Sequence, residues 1–275
     1  MKKIYALFLF FFLPLCMFAD TVVKGITYSY YYGGKACVES ADKDITTAEI
    51  LTHVTIDGST CEVVKIKFGA FYNCTKLEKV IIPNSITEIG NHSFSNCTSL
   101  KNITIPNSVK TIEKEAFKGC TGLTEIVIPN GVKELNSDLF SECSNLRNVV
   151  IPNSVNKIGN RAFEKCSNLQ NIVIPNSVDT IGVDAFSRCE NLSNIAFPNS
   201  MKSIAVGAFG LCNKLTNVVL PNGLKAIGAS TFYACENLEN VVIPHSVELI
   251  GGGAFGSCPK LKRVEIPQNG NLKKI

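Results

Sequence analysis

The sequence predicts an α/β solenoid in which strands dominate, and three observations lead to this fold class. Phenylalanine recurs every 23 residues from Phe71 to Phe255. A cysteine follows each of these phenylalanines after three residues, a leucine follows after three more, and nine prolines from Pro83 to Pro267 keep the same register. Such a period is typical of stacked structural repeats, in which one copy cannot bury its apolar face alone. We therefore expect one curved stack of ten coils, of which the last nine are regular.

Residues 1–19 are predicted to be a secretory signal peptide. Two lysines precede an uncharged apolar run, from Ile4 to Ala19, that is short for a membrane span. Cys16 gives this stretch a faint similarity to a lipoprotein signal, but the bulky Leu15 before it disfavours a lipid anchor. We predict a secreted or cell-surface protein without a transmembrane segment.

The charge pattern argues against a nucleic-acid partner. Twenty-seven Lys and Arg face 23 Asp and Glu, and removal of the two signal lysines lowers the net charge from +4 to +2. No basic stripe or long charge run remains, whereas phosphate recognition needs clustered Lys and Arg. We expect no nucleic acid among the partners.

Catalytic and metal-binding patterns are not found in the sequence. The three histidines, His53, His92 and His245, fall in different repeat environments without a nucleophile or an acid at a recurrent spacing. The cysteines never take the C-x-x-C spacing that zinc sites use. The sequence therefore predicts no enzymatic activity, no metal and no cofactor.

Residues 20–50 lie outside the period and are predicted to form an amino-terminal cap. The stretch from Thr27 to Tyr32 is rich in strand-forming residues, and the following Gly33-Gly34 indicates a hairpin. A cap is needed because the first coil of a solenoid has an unpaired edge and an open core. Strand positions resume at Leu51, so the solenoid is predicted over residues 51–275, after an atypical first coil.

Each regular repeat is predicted to contain a strand, two bends and a helical turn. In the coil that begins at Leu146, the run Val149–Ile151 is β-branched or strand-forming, and Pro152 ends the strand because it has no amide hydrogen to donate. Gly159 permits a second bend. The apolar spacing from Ala162 to Cys166 then predicts a helical turn that faces the core.

The complete pattern, P-N-S-V-x-x-I-G-x-x-A-F-x-x-C-x-x-L-x-x-I-x-I, resembles the BspA-like class of leucine-rich repeat. The resemblance covers roughly residues 51–275, and the lead-in from Val23 to Tyr30 is similar to segments that precede the repeats in that family. It implies a right-handed leucine-rich repeat stack with a parallel concave β-sheet and short helical turns. Members of the family are typically secreted or cell-surface proteins of host-associated bacteria and some protists. A few of them adhere to host proteins or to other cells.

Nine of the twelve cysteines hold one position of the repeat, from Cys74 to Cys258. A small, weakly polar residue suits an interior position. Equivalent Cα atoms of adjacent coils lie roughly 5 Å apart, but their side chains run parallel, which disfavours disulfides. We expect a buried ladder of free thiols. Cys37 and Cys61 lie outside this ladder, in the predicted cap of a secreted protein. A disulfide between these two residues and a pair of free thiols therefore both stay open as alternatives.

Two outward columns of the concave sheet form the predicted partner-binding site. The first column, interrupted by Glu125, is asparagine five residues after the ladder cysteines: Asn102, Asn148, Asn171, Asn194, Asn217 and Asn240. The second column follows two residues later and includes Val127, Val150, Val173, Val219 and Val242. Stacked amides can bond to each other and β-branched residues suit a flat sheet, so a purely structural interpretation stays open. An exposed apolar row is also typical of a protein-binding surface.

The function predicted from these features is binding of a macromolecular partner by a monomeric solenoid. The expected partner is a host matrix or cell-surface protein, bound through the concave sheet in adhesion to a host or to neighbouring cells. The alternative is a structural spacer or surface-layer protein without a specific ligand.

Overall fold

The computed structural model describes residues 19–268 and 270–274, so the predicted signal peptide, apart from Ala19, lies outside the described residues. In the described part of the chain, strands are joined by turns and loops, and no helix occurs. The strands form a solenoid of about ten coils, which confirms the predicted stack.

The first strands lie at the amino-terminal end of the stack. They are β1 (Thr21–Val23), β2 (Ile26–Tyr31), β3 (Lys35–Ala41), β4 (Thr47–Glu49), β5 (His53–Ile56) and β6 (Ser59–Ile66). β2 and β3 are antiparallel and are joined by a turn in which Gly33 and Gly34 have φ values of 71° and 76°. Glycine reaches this left-handed region without steric cost. β5 and β6 form a second antiparallel hairpin, and β6 also pairs in parallel with β3.

Two ladders of short parallel strands run along the stack. The long ladder contains the three-residue strands β4, β7 (Lys79–Ile81), β10 (Glu125–Val127), β12 (Asn148–Val150), β14 (Asn171–Val173), β16 (Asn194–Ala196), β18 (Asn217–Val219), β20 (Asn240–Val242) and β22 (Arg263–Glu265). The short ladder contains the two-residue strands β8 (Glu88–Ile89), β9 (Thr111–Ile112), β11 (Glu134–Leu135), β13 (Lys157–Ile158), β15 (Thr180–Ile181), β17 (Ser203–Ile204), β19 (Ala226–Ile227) and β21 (Leu249–Ile250). β6 joins the first strands to the short ladder by pairing with both β3 and β8.

The long ladder is interrupted rather than continuous. Its hydrogen-bonded groups are β4–β7, β10–β12, β14–β16 and β18–β20–β22. The segment Asn102–Thr104, which occupies the equivalent position between β7 and β10, is not in a strand.

The predicted helical turn over Ala162 to Cys166 is wrong, because left-handed residues interrupt the backbone on both sides of the phenylalanine. Arg161 and Lys165 have φ values of 53° and 59°. The Phe163 amide donates to the Ala185 carbonyl of the next coil at 2.8 Å instead of to its own coil. The segment is therefore a pair of turns tied to the neighbouring coil.

The nine repeat phenylalanines form one column of stacked rings through the core. Neighbouring ring centroids lie 4.9–5.7 Å apart, with interplanar angles between 2° and 14°. The rings from Phe71 to Phe232 are fully buried, whereas Phe255 at the end of the column is half-buried. This column packs each coil against the next.

The nine ladder cysteines carry free thiols, and all but the half-buried Cys258 are buried, which confirms the predicted ladder. From Cys97 onward, each thiol donates to the carbonyl of the phenylalanine 26 residues earlier, at 3.0–3.2 Å. Burial raises the pKa of these thiols, to about 12 for Cys143 and Cys235. The ladder therefore consists of protonated thiols that hydrogen-bond one coil to its neighbour.

Cys37 and Cys61 are not bridged, because the strand register holds them apart. In the pairing of β3 with β6, Cys37 lies opposite Lys65, four residues along the strand from Cys61. This offset corresponds to roughly 13 Å, well beyond the Cα separation that a disulfide spans. Both thiols are free, and each has a local partner: Cys37 Sγ lies 3.1 Å from Ser29 Oγ, and Cys61 Sγ donates to the Ser59 carbonyl at 3.7 Å.

Candidate binding face

The strands of the long ladder alternate strictly between outward and inward side chains. In β12, Asn148 and Val150 are exposed and Val149 is buried. Leu146 and Ile151 on either side are also buried. Because successive strand residues point to opposite faces, the core fixes the direction of Val149 and thereby turns Asn148 and Val150 outward.

The structure places all the predicted binding residues on this outward side, which we call the long-ladder face. The six predicted asparagines are exposed, and the five valines expose between 55% (Val242) and 79% (Val219) of their surface. Parallel register aligns Asn171 with Asn194 and Val219 with Val242. At about 4.8 Å per coil, the five steps from Val127 to Val242 span roughly 24 Å.

The outward strand positions of the long-ladder face are uncharged over five consecutive coils. From β12 to β20, the outward positions hold only asparagine, valine and one alanine. Charged residues begin at each end of this stretch, with Glu125 on β10 and with Arg263 and Glu265 on β22. Arg263 Nε lies 3.3 Å from Glu265 Oε1. A neutral surface costs less to desolvate on binding than a charged one.

The asparagines of this face do not bond to each other. Within the described residues, the side chains of Asn194 and Asn217 donate only to the hydroxyls of the preceding Ser193 and Thr216, at 3.2 and 3.4 Å. The asparagine ladder considered in the structural interpretation exists at a different column, two residues after the cysteines. There, Asn168 donates to Asn145 and Asn191 donates to Asn168, at 3.2 and 3.4 Å. The amides of the long-ladder face therefore keep hydrogen-bonding capacity for a partner.

A groove of about 740 Å³ lies on the long-ladder face beside the segment Asn102–Thr104, where the ladder is interrupted. Four predicted residues, Asn102, Val127, Asn148 and Val150, line it together with Thr104 and Glu125. Asn171, Asn194, Asn217, Val173 and Val219 lie outside this groove. Glu125 and Thr104 were not among the predicted site residues, although their departure from the Asn and Val columns marks them in the sequence.

A second groove, of about 710 Å³, lies at the other end of the same face. Val242 lines it together with the charged pair Arg263 and Glu265. Both grooves thus lie where the neutral stretch meets a charged coil.

A metal-binding cluster and a membrane-spanning helix are both absent from the described residues. Residues 19–268 and 270–274 contain no cluster of three or more His, Cys, Asp or Glu side chains that could hold a metal ion. In the same part of the chain, no helix has the length and hydrophobicity needed to cross a membrane. Solenoids of this kind are typically non-enzymatic.

The repeat geometry defines a leucine-rich repeat solenoid, and the comparison with known families identifies the type. The family model described as "BspA type Leucine rich repeat region (6 copies)" matches residues 49–170 and 157–275. The chain belongs to this family, which confirms the resemblance found in the sequence. No curated protein matches the chain significantly.

Solved bacterial structures share the fold. A leucine-rich cell surface protein from Faecalibacterium prausnitzii A2-165 is 23% identical, with a TM-score of 0.54 over 90% of this chain and 94% of that protein. A leucine-rich repeat protein of T. pallidum is 26% identical, with a TM-score of 0.52 over 88% of this chain and 91% of that protein. These likenesses support the leucine-rich repeat assignment.

Proposed function

We propose that this protein is secreted or displayed at the cell surface and binds a protein partner through the long-ladder face, in adhesion to a host or to neighbouring cells. The observation that carries the proposal is a run of five strands whose outward positions carry no charge and present asparagine amides beside exposed valines. Interface cores combine apolar contact area with hydrogen bonds and are depleted in charge. The face has this composition.

The size of the face sets a condition on the partner. The two columns cover roughly 24 Å by 10 Å, or about 240 Å². A stable protein–protein interface buries about 800 Å² on each partner. The partner must therefore extend beyond the two columns, and the grooves at Val127 and Val242 are concave surfaces next to them.

Two further observations support a location outside the cell. The first is the predicted signal peptide, with its two lysines and apolar run. The second is the similarity to the F. prausnitzii leucine-rich cell surface protein. The alternative function, a spacer or surface-layer protein without a ligand, needs the same location but no binding face.

The test is a solid-phase binding assay of residues 20–275 on a panel of extracellular matrix proteins and on co-resident bacterial cells. Asn171→Arg with Val173→Lys places two cations on the long-ladder face and should abolish binding. The melting temperature should stay nearly unchanged because both side chains are exposed.

A matched control adds the same charge to the other ladder. Thr180→Arg with Ser203→Lys lies at aligned positions of β15 and β17 and should bind like the parent. If the control loses binding and the face variant keeps it, the partner contacts a different surface. If the parent binds no matrix protein and no cell, the spacer function is favoured.

A further inference from the structure

An aromatic cavity of about 330 Å³ lies at the start of the stack, away from the long ladder. Phe68, Tyr72 and His92 surround it together with Gly69 and Lys43. The His92 ring is edge-on to both aromatic rings, with centroid distances of 5.4 Å to Phe68 and 6.3 Å to Tyr72. These three rings form apolar walls around a space open to solvent.

The repeat does not require an aromatic residue at the position of Phe68. In the column of Phe68, the following coils carry Asn91, Lys114, Ser137, Asn160, Val183, Val206, Ala229 and Gly252. Phe68 is nevertheless 70% exposed and Tyr72 is 42% exposed, so neither ring is placed there to fill the core. An exposed apolar cluster of this kind marks a binding site more often than a packing requirement.

Lys43 supplies a cation whose charge is not balanced by an ion pair. Its ammonium donates to the Tyr72 carbonyl at 2.5 Å, which anchors it beside the cavity. Among the described residues, Lys43 forms no ion pair, whereas the nearby Lys76 pairs with Asp44 at 2.8 Å. A lysine has three donors, so two remain for a ligand.

The carboxylate that contacts the lining residue His92 has a second partner. Glu115 Oε2 lies 3.4 Å from His92 Nδ1 and 3.6 Å from Lys118 Nζ, and Glu115 does not line the cavity. This contact holds the His92 ring in place between Phe68 and Tyr72. Among the five lining residues, Lys43 alone carries a permanent charge, and that charge is positive.

We propose that this cavity binds a small aromatic carboxylate. The ligand ring packs against Phe68, Tyr72 and His92, and its carboxylate accepts hydrogen bonds from Lys43. The volume lies at the lower end of the range for small-molecule sites, and such sites pair apolar walls with a few placed polar groups. The proposal is independent of the long-ladder face and of any adhesive role.

The test uses 3-phenylpropionate as the probe, with binding to residues 20–275 measured by saturation-transfer NMR and titration calorimetry. Two comparators with the same phenyl ring separate the contribution of charge: neutral 3-phenylpropanamide, which is isosteric with the probe, and cationic 3-phenylpropylamine. The carboxylate should bind most tightly, and the amide should bind about tenfold more weakly, because it loses the charge-assisted hydrogen bond.

Variants then assign the binding to this cavity. Lys43→Gln should remove the preference for the carboxylate over the amide, and Phe68→Ala should weaken both by about tenfold, because it removes an aromatic wall. Val206→Ala is the matched control, since Val206 holds the Phe68 position in a later coil and is 48% exposed. All three variants should melt with the parent because the changed side chains are partly or largely exposed.

Three results would overturn the proposal. Tighter binding of the amine than of the carboxylate would show a cation-binding cage instead. Equal weakening in Val206→Ala would show non-specific association with the solenoid. Failure of 3-phenylpropionate to bind at millimolar concentration would show that the cavity has no affinity for this class of ligand.

Discussion

Replacing Phe163 with alanine should destabilise the solenoid by about 3–5 kcal/mol. The Phe163 ring is fully buried, and its centroid lies 5.5 Å from the Phe140 ring and 5.2 Å from the Phe186 ring. Loss of two aromatic contacts accounts for about 1–3 kcal/mol, and transfer of the side chain and the residual cavity account for the rest. The coil cannot close over the cavity easily, because the Phe163 and Phe186 amides hold the spacing of three successive coils by bonds of 2.8 Å each.

The measurement is urea unfolding followed by far-ultraviolet circular dichroism. Stability in a repeat stack is the sum of coil and interface terms, so damage to a middle coil should also lower the m-value as the two halves unfold separately. Phe255→Ala is the internal control, because Phe255 is half-buried and, among the described residues, stacks on one ring only, at 5.7 Å. It should lose less than half as much stability. Equal losses at the two positions, or a loss under about 1 kcal/mol at Phe163, would refute the stacked-core argument.

Two other outcomes are expected from the side-chain ladders. The nine ladder thiols should resist a thiol reagent at pH 8 until denaturant is added. The reason is that burial raises the pKa of thiols such as Cys143 and Cys235 to about 12 and keeps them protonated well above neutral pH. Rapid labelling of several ladder thiols in the native state would contradict this. Asn168→Ala should lower the free energy of unfolding by about 1–2 kcal/mol, because the Asn168 amide hydrogen-bonds to the coils on both sides. Asn171→Ala should change it by less than about 0.5 kcal/mol. Equal melting shifts for the two variants would argue against the assigned asparagine ladder.

The sequence was sufficient to predict the inward columns of the fold. Positions such as Phe163 and Cys166 are fixed by packing against their equivalents in neighbouring coils, so a 23-residue period reports them directly. The turn around Phe163 could not be predicted in the same way. A helix and a pair of linked turns give the same apolar spacing, and the distinction depends on positive φ at Arg161 and Lys165, residue types that carry no sign of it.

The outward features could not be predicted from the sequence either, and for a similar reason. Asparagine occurs repeatedly in two columns, and only side-chain direction decides that Asn145 and Asn168 bond to each other while Asn171 and Asn194 do not. The separation of Cys37 from Cys61 likewise depends on strand register, which cysteine counting does not specify. The aromatic cavity combines Lys43 with residues from two later coils, a proximity that no local pattern shows.

Two neighbouring columns of the repeat differ in a way that the proposed binding function accounts for and the spacer alternative does not. The position just before the asparagine column is exposed or half-buried and changes freely in size and charge along the chain: Lys101, Thr124, Arg147, Gln170, Ser193, Thr216, Glu239 and Lys262. Duplication of repeats alone would have left this column as uniform as the asparagine column beside it. Asparagine is depleted in strands, so strand formation does not explain its repetition from Asn148 to Asn240. Contacts between the amides do not explain it either, because none joins these side chains in the described residues. A partner that contacts this column in successive coils requires the same outward side chain each time, and a spacer does not.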